Sequence, residues 1–138
     1  MKIVYSYYCL DILHIGHILM MKKCKDITGS DGLFIAGILT DNAIFEKKPI
    51  PIMPFEERFE IASSIKYIDK VIPQNTYSPL GNLKKIKPNI LMESTSHLER
   101  DIQELLDYMN SINGEVIKVP YYDGQSSTKI KELIKKRI

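Results

Sequence analysis

The sequence predicts an α/β protein in which a parallel sheet of five strands carries helices on both faces. Short apolar segments alternate with helical segments about five times along the 138 residues. Residues 33–39 are apolar almost throughout, as expected of a strand buried on both faces of a sheet. No internal repeat, low-complexity tract or linker divides the chain, so residues 1–138 are predicted to form a single domain.

The elements of the first half follow from residue type and spacing. Residues 2–8, KIVYSYY, are rich in β-branched and aromatic side chains and predict a strand. A helix follows, because apolar side chains from Ile18 to Cys24 recur at helical spacing, and residues 28–32, TGSDG, end it. After the strand at 33–39, residues 40–54 include three prolines in their last six positions. We expect a long loop there, of the kind that often carries function.

The second half alternates in the same way. A helix is predicted at residues 54–68, PFEERFEIASSIKYI, since proline suits a helix start and acidic residues occupy the first turn. Ser126 or Ser127 is expected to cap the last helix. The remaining segments are strands at residues 69–73, 89–94 and 115–120, a short helix or turn at 78–88, an amphipathic helix at 96–113 and the last helix at 126–138. This order predicts a doubly wound, Rossmann-like sheet.

Composition argues against several classes of protein. The formal charge of +2 is too small to indicate nucleic acid or a membrane surface as partner, and no apolar run is long enough to span a bilayer. The N-terminal residues do not resemble a signal peptide, so a cytoplasmic location is expected. Cys9 and Cys24 form neither a CxxC pair nor a metal cluster and are predicted to be reduced and buried.

Four polar or glycine-bearing segments follow the predicted strands. They are YYCLDILHIGH, LTDN, MESTSH and PYYDGQSST. Ligands of open α/β sheets bind beyond the carboxyl ends of the strands, near the point where the strand order reverses. This edge is therefore the predicted binding site.

Two histidines flank a glycine at the first strand–helix junction. Gly16 lets a ligand approach the backbone, and the free N–H groups of a helix N-terminus favour phosphate. His14 and His17, three residues apart, share one face of the turn and can both donate hydrogen bonds to phosphate. The alternative is a structural role for both rings. A zinc site is less favoured, because His97 is distant in sequence and no cysteine accompanies it.

These segments also resemble a known family. HIGH at 14–17 resembles the signature of the HIGH nucleotidyltransferases, and LDILHIGH is similar to the cytidylyltransferase branch. Two further segments, KKPIPIMPFEERFEIASSIKYIDKVIPQ and GQSSTKIKELI, are also similar to the cytidylyltransferase branch. The likeness covers nearly the whole chain and is closest to small glycerol-phosphate and phosphonate-associated nucleotidyltransferases.

The resemblance implies a reaction and its residues. A nucleoside triphosphate, expected to be CTP with Mg²⁺ carried on the nucleotide, would react with a small phosphorylated or phosphonylated acceptor and release pyrophosphate. His14, His17 and Lys48 would be catalytic, and Arg58 would bind the acceptor phosphate. No residue is expected to ligate a metal. The implied nucleotide-binding residues are Tyr8, Cys9, Asp11, Gly16, Ser126, Ser127 and Thr128.

Some positions depart from the family pattern. Tyr8 and Cys9 stand where a glycine and a small hydroxyl residue are usual, Tyr121 replaces an arginine, and residues 93–97, ESTSH, replace an acidic loop near the base and acceptor. An adenylyltransferase and a non-catalytic nucleotide-binding module therefore remain alternatives. The resemblance also implies a homodimer, for which Tyr7, Tyr8, Phe45, Ile50 and Ile52 are candidate contacts.

Overall fold

The computed structural model describes residues 1–94, 99–120, 122 and 124–138, with only the backbone of residues 99–101. Its five strands form one sheet in the order β3-β2-β1-β4-β5, and all four neighbouring pairs are parallel. The strands are β1 Ile3–Tyr8, β2 Leu33–Leu39, β3 Lys70–Gln74, β4 Ile90–Ser94 and β5 Glu115–Val119, and the helices are α1 Ile15–Thr28, α2 Asp41–Phe45, α3 Phe55–Ser63, α4 Leu80–Ile86, α5 Glu99–Ser111 and α6 Ser127–Arg137.

Strand β1 lies at the centre, and its side chains alternate between two cores. Val4 and Tyr8 belong to the cluster that includes Met21 of α1 and Ala62 of α3. Tyr5 belongs to the opposite cluster, which includes Leu83 of α4. The predicted doubly wound α/β fold is confirmed, because each face of the sheet is covered by helices and the strand order reverses between β1 and β4.

Two predicted boundaries are wrong. The predicted loop at 40–54 begins with α2, because Thr40 Oγ1 accepts a hydrogen bond from Ala43 N at 3.2 Å and Ala43 and Ile44 are buried against Leu39. Residues 46–54 then form the irregular segment, which we call the proline loop. Helix α3 ends at Ser63, where serine hydroxyls at 63 and 64 donate to carbonyls four residues earlier and compete with the helical pattern.

The part of the chain that the structure describes contains no helix that is both long and apolar enough to cross a bilayer.

Candidate phosphate-binding site

A cavity of about 770 Å³ opens at the carboxyl edge of the sheet. Its wall includes the β1–α1 connection, the last residues of β4, residues that follow β2 and β5, and the start of α6. The four segments that the sequence singled out therefore meet at one place. Of the predicted site residues, the cavity is lined by Tyr8, Cys9, Asp11, His14, Gly16, His17, Lys48, Ser127 and Thr128.

The two histidines form a reciprocal cap on α1. His14 is the N-cap residue, and its Nδ1 accepts from Gly16 N at 3.0 Å. His17 returns the contact, because its Nδ1 accepts from His14 N at 3.2 Å. The ring centroids are 3.9 Å apart. This is a capping box built from imidazoles instead of the usual hydroxyl and carboxylate.

This cap fixes the tautomer of both rings. A neutral imidazole that accepts at Nδ1 carries its proton at Nε2 and donates from there. Burial lowers the pKa of His14, and burial with the neighbouring His14 lowers the pKa of His17 to about 4. Near neutral pH the two rings are therefore uncharged Nε2–H donors that line the cavity.

The lowered pKa predicts loss of stability in acid. The unfolded chain binds more protons than the folded one between pH 6.5 and 4, the ordinary and shifted pKa of His17. The contribution of neutral His17 to the free energy of unfolding is therefore complete above pH 6.5 and is lost as the pH falls from 6.5 to 4. Free energies of unfolding in urea at about pH 7.5 and about pH 5 measure the effect. The double variant His14→Gln, His17→Gln is expected to show a smaller difference in free energy of unfolding between the two pH values. An equal difference contradicts the lowered pKa of the histidines.

Gly16 is required by the cap itself. A Cβ at this position would lie 2.8 Å from His14 Cε1 and 3.0 Å from its Nδ1. Any larger residue would therefore push the ring away from the backbone N–H that it accepts. The glycine between the histidines allows the close contact that orients His14.

The turn before the histidines is strained and held by burial. Leu10 has a φ of 58°, in the left-handed region that leucine rarely occupies, and is 1% exposed. Asp11, next along the chain, accepts from Ile52 N at 3.0 Å and Met53 N at 2.9 Å. Burial by itself raises the pKa of Asp11, but these hydrogen bonds and Lys131 outweigh burial and lower it. Asp11 thus joins the β1–α1 turn to the proline loop.

The start of α6 forms the wall beside this turn. Ser126 is its N-cap, as predicted, since its Oγ accepts from Lys129 N at 3.0 Å. Ser127 Oγ donates to Ile12 O at 3.3 Å, and both Ser127 and Thr128 line the cavity. Ser126 is not part of the lining, so its predicted contact with nucleotide is not supported by its position.

Three lysines line the cavity among the described residues. Lys48 lies in the proline loop and is exposed, so its ammonium group is free to reach an anion in the cavity. Lys23 of α1 and Lys131 of α6 were not predicted. Helical spacing could have indicated Lys131, because it places this residue on the same face of α6 as Ser127 and Thr128.

Tyr8 and Cys9 have limited access to a ligand. Tyr8 is 7% exposed and its ring meets the His17 ring edge-on with centroids 6.2 Å apart. Its hydroxyl is buried beside Ser6 and Cys24 without a hydrogen bond of ordinary geometry among the described residues. Burial raises the pKa of the Cys9 thiol despite nearby Lys48. Both residues therefore line the cavity as packing groups, and Cys24 is buried as predicted.

The structure places Arg58, the predicted acceptor-phosphate residue, away from the cavity. Its side chain is 0% exposed and lies outside the cavity lining. The guanidinium donates to the carbonyl oxygens of Met53, Cys9 and Leu39 at 3.0, 2.6 and 2.7 Å, and to Asp41 Oδ1 at 2.7 Å. With these partners it holds three segments of the cavity wall together and is not presented to an acceptor phosphate.

The far end of the cavity carries a buried acid. Glu93 is 2% exposed, and its Oε2 accepts from Tyr7 Oη at 2.7 Å. Burial, and then the Glu93 charge, raise the pKa of Tyr7 far above its ordinary value, so this phenol remains protonated. Of the predicted 93–97 segment, Glu93 and Ser94 line the cavity, while residues 95–97 lie outside the described residues, as does Tyr121.

The described residues include no group of three or more histidine, cysteine or acidic side chains arranged to hold a metal ion. Of the two acids that line the cavity, Asp11 already accepts two backbone N–H groups and Glu93 accepts the Tyr7 hydroxyl.

The fold and the cavity define a class: Rossmann-like α/β proteins with a cavity at the carboxyl edge of a parallel sheet. The sequence profile of the cytidylyltransferase-like family matches residues 9–133. The chain belongs to this family, which is part of the HIGH-motif nucleotidyltransferase superfamily.

Individual relatives agree with this assignment. FAD synthase of Pyrococcus abyssi is 31% identical over 129 residues, which cover 91% of this chain and 85% of that protein. Bifunctional protein HldE of Helicobacter hepaticus is 28% identical over 137 residues, 98% of this chain but 27% of HldE, so the chain spans about a quarter of that relative.

A solved structure shows the same fold. The crystal structure of the lipopolysaccharide core biosynthesis protein from Thermoplasma volcanium GSS1 superposes with a TM-score of 0.75 at 23% identity. The superposition covers 89% of this chain and 99% of that one.

Proposed function

We propose that this protein transfers a nucleotidyl group from a nucleoside triphosphate to a small phosphorylated or phosphonylated acceptor and releases pyrophosphate. One observation carries the proposal. Two imidazole Nε2–H donors, the hydroxyls at the start of α6 and the lysine of the proline loop line the same cavity at the switch point of the sheet. This combination of neutral donors, helix N-termini and cations suits a polyphosphate.

The reaction needs no covalent enzyme intermediate. An acceptor phosphate or phosphonate oxygen attacks the α-phosphorus and forms a new P–O bond. The bond from that phosphorus to the bridging oxygen breaks, and the electron pair leaves with pyrophosphate. His14 and His17 donate to phosphate oxygens as their charge grows, and Lys48 offsets charge between the two substrates. Catalysis then comes from alignment and charge stabilisation.

CTP is the first candidate nucleotide. The segments HIGH, KKPIPIMPFEER and SSTKIK support it through their likeness to the cytidylyltransferase branch. ATP is the second candidate, because FAD, the product named by the FAD synthase relative, contains an adenine nucleotide. Mg²⁺ is proposed to enter with the triphosphate, held by its oxygens and water.

A screen of pyrophosphate release tests the function. The four nucleoside triphosphates are each incubated with Mg²⁺ and a panel of phosphorylated alcohols and phosphonates. Release that requires one nucleotide and one class of acceptor supports the proposal. Saturable nucleotide binding without pyrophosphate release for every combination favours the non-catalytic module instead.

Substitution of Lys48 tests whether its charge contributes to catalysis independently of the stability of the fold. Lys48→Met is expected to reduce kcat/KM about tenfold to a hundredfold, because a hydrogen bond to a charged phosphate is lost. The exposed neighbour Lys47, which is outside the main cavity lining, provides the matched control Lys47→Met. Equal kcat/KM values for the two variants contradict the role of Lys48. Thermal unfolding checks that neither variant is destabilised.

We also propose a homodimer, with fewer contact residues than the sequence suggested. Tyr8 is buried, and Tyr7 is partly buried between the apolar cluster that contains Leu39 and the one that contains Leu83, so neither is retained as a contact. Phe45, Ile50 and Ile52 remain 64%, 74% and 67% exposed in and beside the proline loop. These apolar side chains support self-association there, and light scattering at several concentrations measures it.

A further inference from the structure

The part of the cavity that contains Glu93 also contains two tyrosines. Tyr7, Tyr77 and Glu93 all line it, and we call these three residues the tyrosine end. The Tyr7 hydroxyl donates to Glu93 Oε2 at 2.7 Å, and both tyrosines pack against the apolar cluster that contains Leu39. The backbone N–H of Tyr77 donates to Glu46 Oε2 at 3.1 Å, which fixes the chain on the other side of the ring. Aromatic rings and a carboxylate therefore share this end of the cavity.

Glu93 brings a negative charge to a place that water hardly reaches, since the residue is 2% exposed. Tyr7 is a neutral donor, so its hydrogen bond satisfies one lone pair of the carboxylate and leaves the charge in place. A carboxylate that is removed from water is stabilised most by a group of opposite charge. Because it can accept about four hydrogen bonds, it can bind Tyr7 and a ligand group together.

The tyrosine rings favour a ligand of the same charge. The face of an aromatic ring attracts a cation, and the attraction grows where water is excluded. Lys48 lines the same cavity and supplies a positive charge for a phosphate. The lining thus offers one positive and one negative group to a small molecule. A zwitterion with a phosphate or phosphonate at one end and an ammonium group at the other matches both.

We propose that the acceptor carries a positively charged amino group and that Glu93 determines this specificity. The ammonium group donates to the Glu93 carboxylate beside the Tyr7 hydroxyl and lies against the Tyr77 ring, while the phosphate or phosphonate faces Lys48. No bond to the nitrogen forms or breaks. Residues 93–97 depart from the family pattern, so the specificity belongs to this chain rather than to the family. The inference rests on the proposed function, since it names the class of acceptor for the same site.

The alternative is an acceptor with a hydroxyl group in place of the amine. A hydroxyl also donates to a carboxylate, but hydrogen bonds between two charged groups are stronger than those with a neutral donor. Aminoethyl phosphate and hydroxyethyl phosphate differ only in this group and are matched probes. Aminoethylphosphonate and hydroxyethylphosphonate form a second matched pair.

The test is calorimetric titration of each probe into the protein saturated with a non-cleavable methylene analogue of CTP or ATP, so that no turnover occurs. Within a pair, we expect the aminoethyl probe to bind about tenfold to a hundredfold more tightly than the hydroxyethyl probe. Glu93→Gln keeps an oxygen for the Tyr7 hydroxyl but removes the charge, so most of this difference should disappear. The control Glu115→Gln neutralises an exposed acid outside the cavity lining and should keep the full difference.

Equal affinities within both pairs, or no binding of any probe, overturn the proposal, and so does an unchanged preference in Glu93→Gln. Circular dichroism checks folding. If Glu93→Gln does not fold, Tyr77→Leu replaces it and is expected to weaken binding of the aminoethyl probe alone, because the ring is lost. An equal loss for both probes in Tyr77→Leu contradicts the proposal.

Failure of this inference and failure of the proposed function give different results. Amine-specific binding that depends on Glu93, without pyrophosphate release from any nucleoside triphosphate, supports the role of Glu93 and contradicts the proposed function. Pyrophosphate release with equal kcat/KM for the aminoethyl and hydroxyethyl acceptors supports the enzyme and contradicts the specificity.

Discussion

Replacing His17 with alanine is expected to reduce kcat about 10²- to 10³-fold, which corresponds to roughly 2.7–4 kcal/mol of transition-state stabilisation. The reason is the fixed tautomer of the ring. His17 Nδ1 accepts from His14 N, so the proton lies on Nε2, where the side chain lines the cavity. A neutral donor that is already oriented needs no reorganisation when charge develops on a phosphate oxygen.

The alanine variant also removes half of the cap on α1, so its loss of activity needs a control. Alanine in place of a capping side chain costs about 0.5–2 kcal/mol of stability. His17→Glu restores an acceptor at the third helical position, where glutamate is a usual partner of the N-cap residue, but offers no N–H donor. We expect His17→Glu to recover much of the lost stability and none of the lost turnover.

Steady-state kinetics and denaturant unfolding of both variants measure these effects. The catalytic role is contradicted if His17→Ala retains kcat within a fewfold of the unaltered protein. It is also contradicted if activity follows stability across the two variants, because the histidine would then act only as a cap. The first outcome would remove His17 from the mechanism and leave the proposed enzymatic function standing.

The second large effect is expected on stability rather than on turnover. Arg58→Met should lower the free energy of unfolding by about 3–5 kcal/mol, since it leaves buried acceptors without their donor. Three of these acceptors are backbone carbonyls, at Met53, Cys9 and Leu39. A natural domain has only about 5–15 kcal/mol in total, so this loss is severe.

Arg58→Lys provides a matched comparison. A lysine keeps the charge but cannot donate in the four directions that the guanidinium uses, so an intermediate loss is expected. Asp41→Asn controls for the ion pair, because it keeps an acceptor on a side chain that is 48% exposed. Its effect should stay within about 1 kcal/mol.

Urea unfolding of the three variants, with the KM for the acceptor measured on folded protein, decides between two roles. Losses of stability that decrease from Arg58→Met to Arg58→Lys, with only a small loss in Asp41→Asn, support the structural role. Unaltered stability in Arg58→Lys with a raised KM for the acceptor would restore the phosphate-binding interpretation and contradict the structural role of Arg58.

Local patterns in the sequence were sufficient for much of the fold. The apolar run at 33–39 became the buried strand β2, and KIVYSYY became β1, because strand formation in these segments follows residue type over a few positions. The strand–helix junction that lines the cavity was also predictable, since His14, Gly16 and His17 are close in sequence and shape the same helical turn. Ser126 or Ser127 was predicted to cap α6 for the same reason, and the structure shows Ser126 as the cap.

What the sequence by itself determined is thus the order along the chain of the strands and of every helix except α2, the position of the switch-point edge and the paired histidines at the start of α1. The tertiary structure alone decided the role of Arg58, the pairing of Lys131 with Asp11 across 120 positions, and the burial of Tyr7 against Glu93. Partners of this kind are carbonyl oxygens or side chains distant in the chain. A carbonyl is the same group at every residue, so only the folded chain shows which ones meet a given guanidinium.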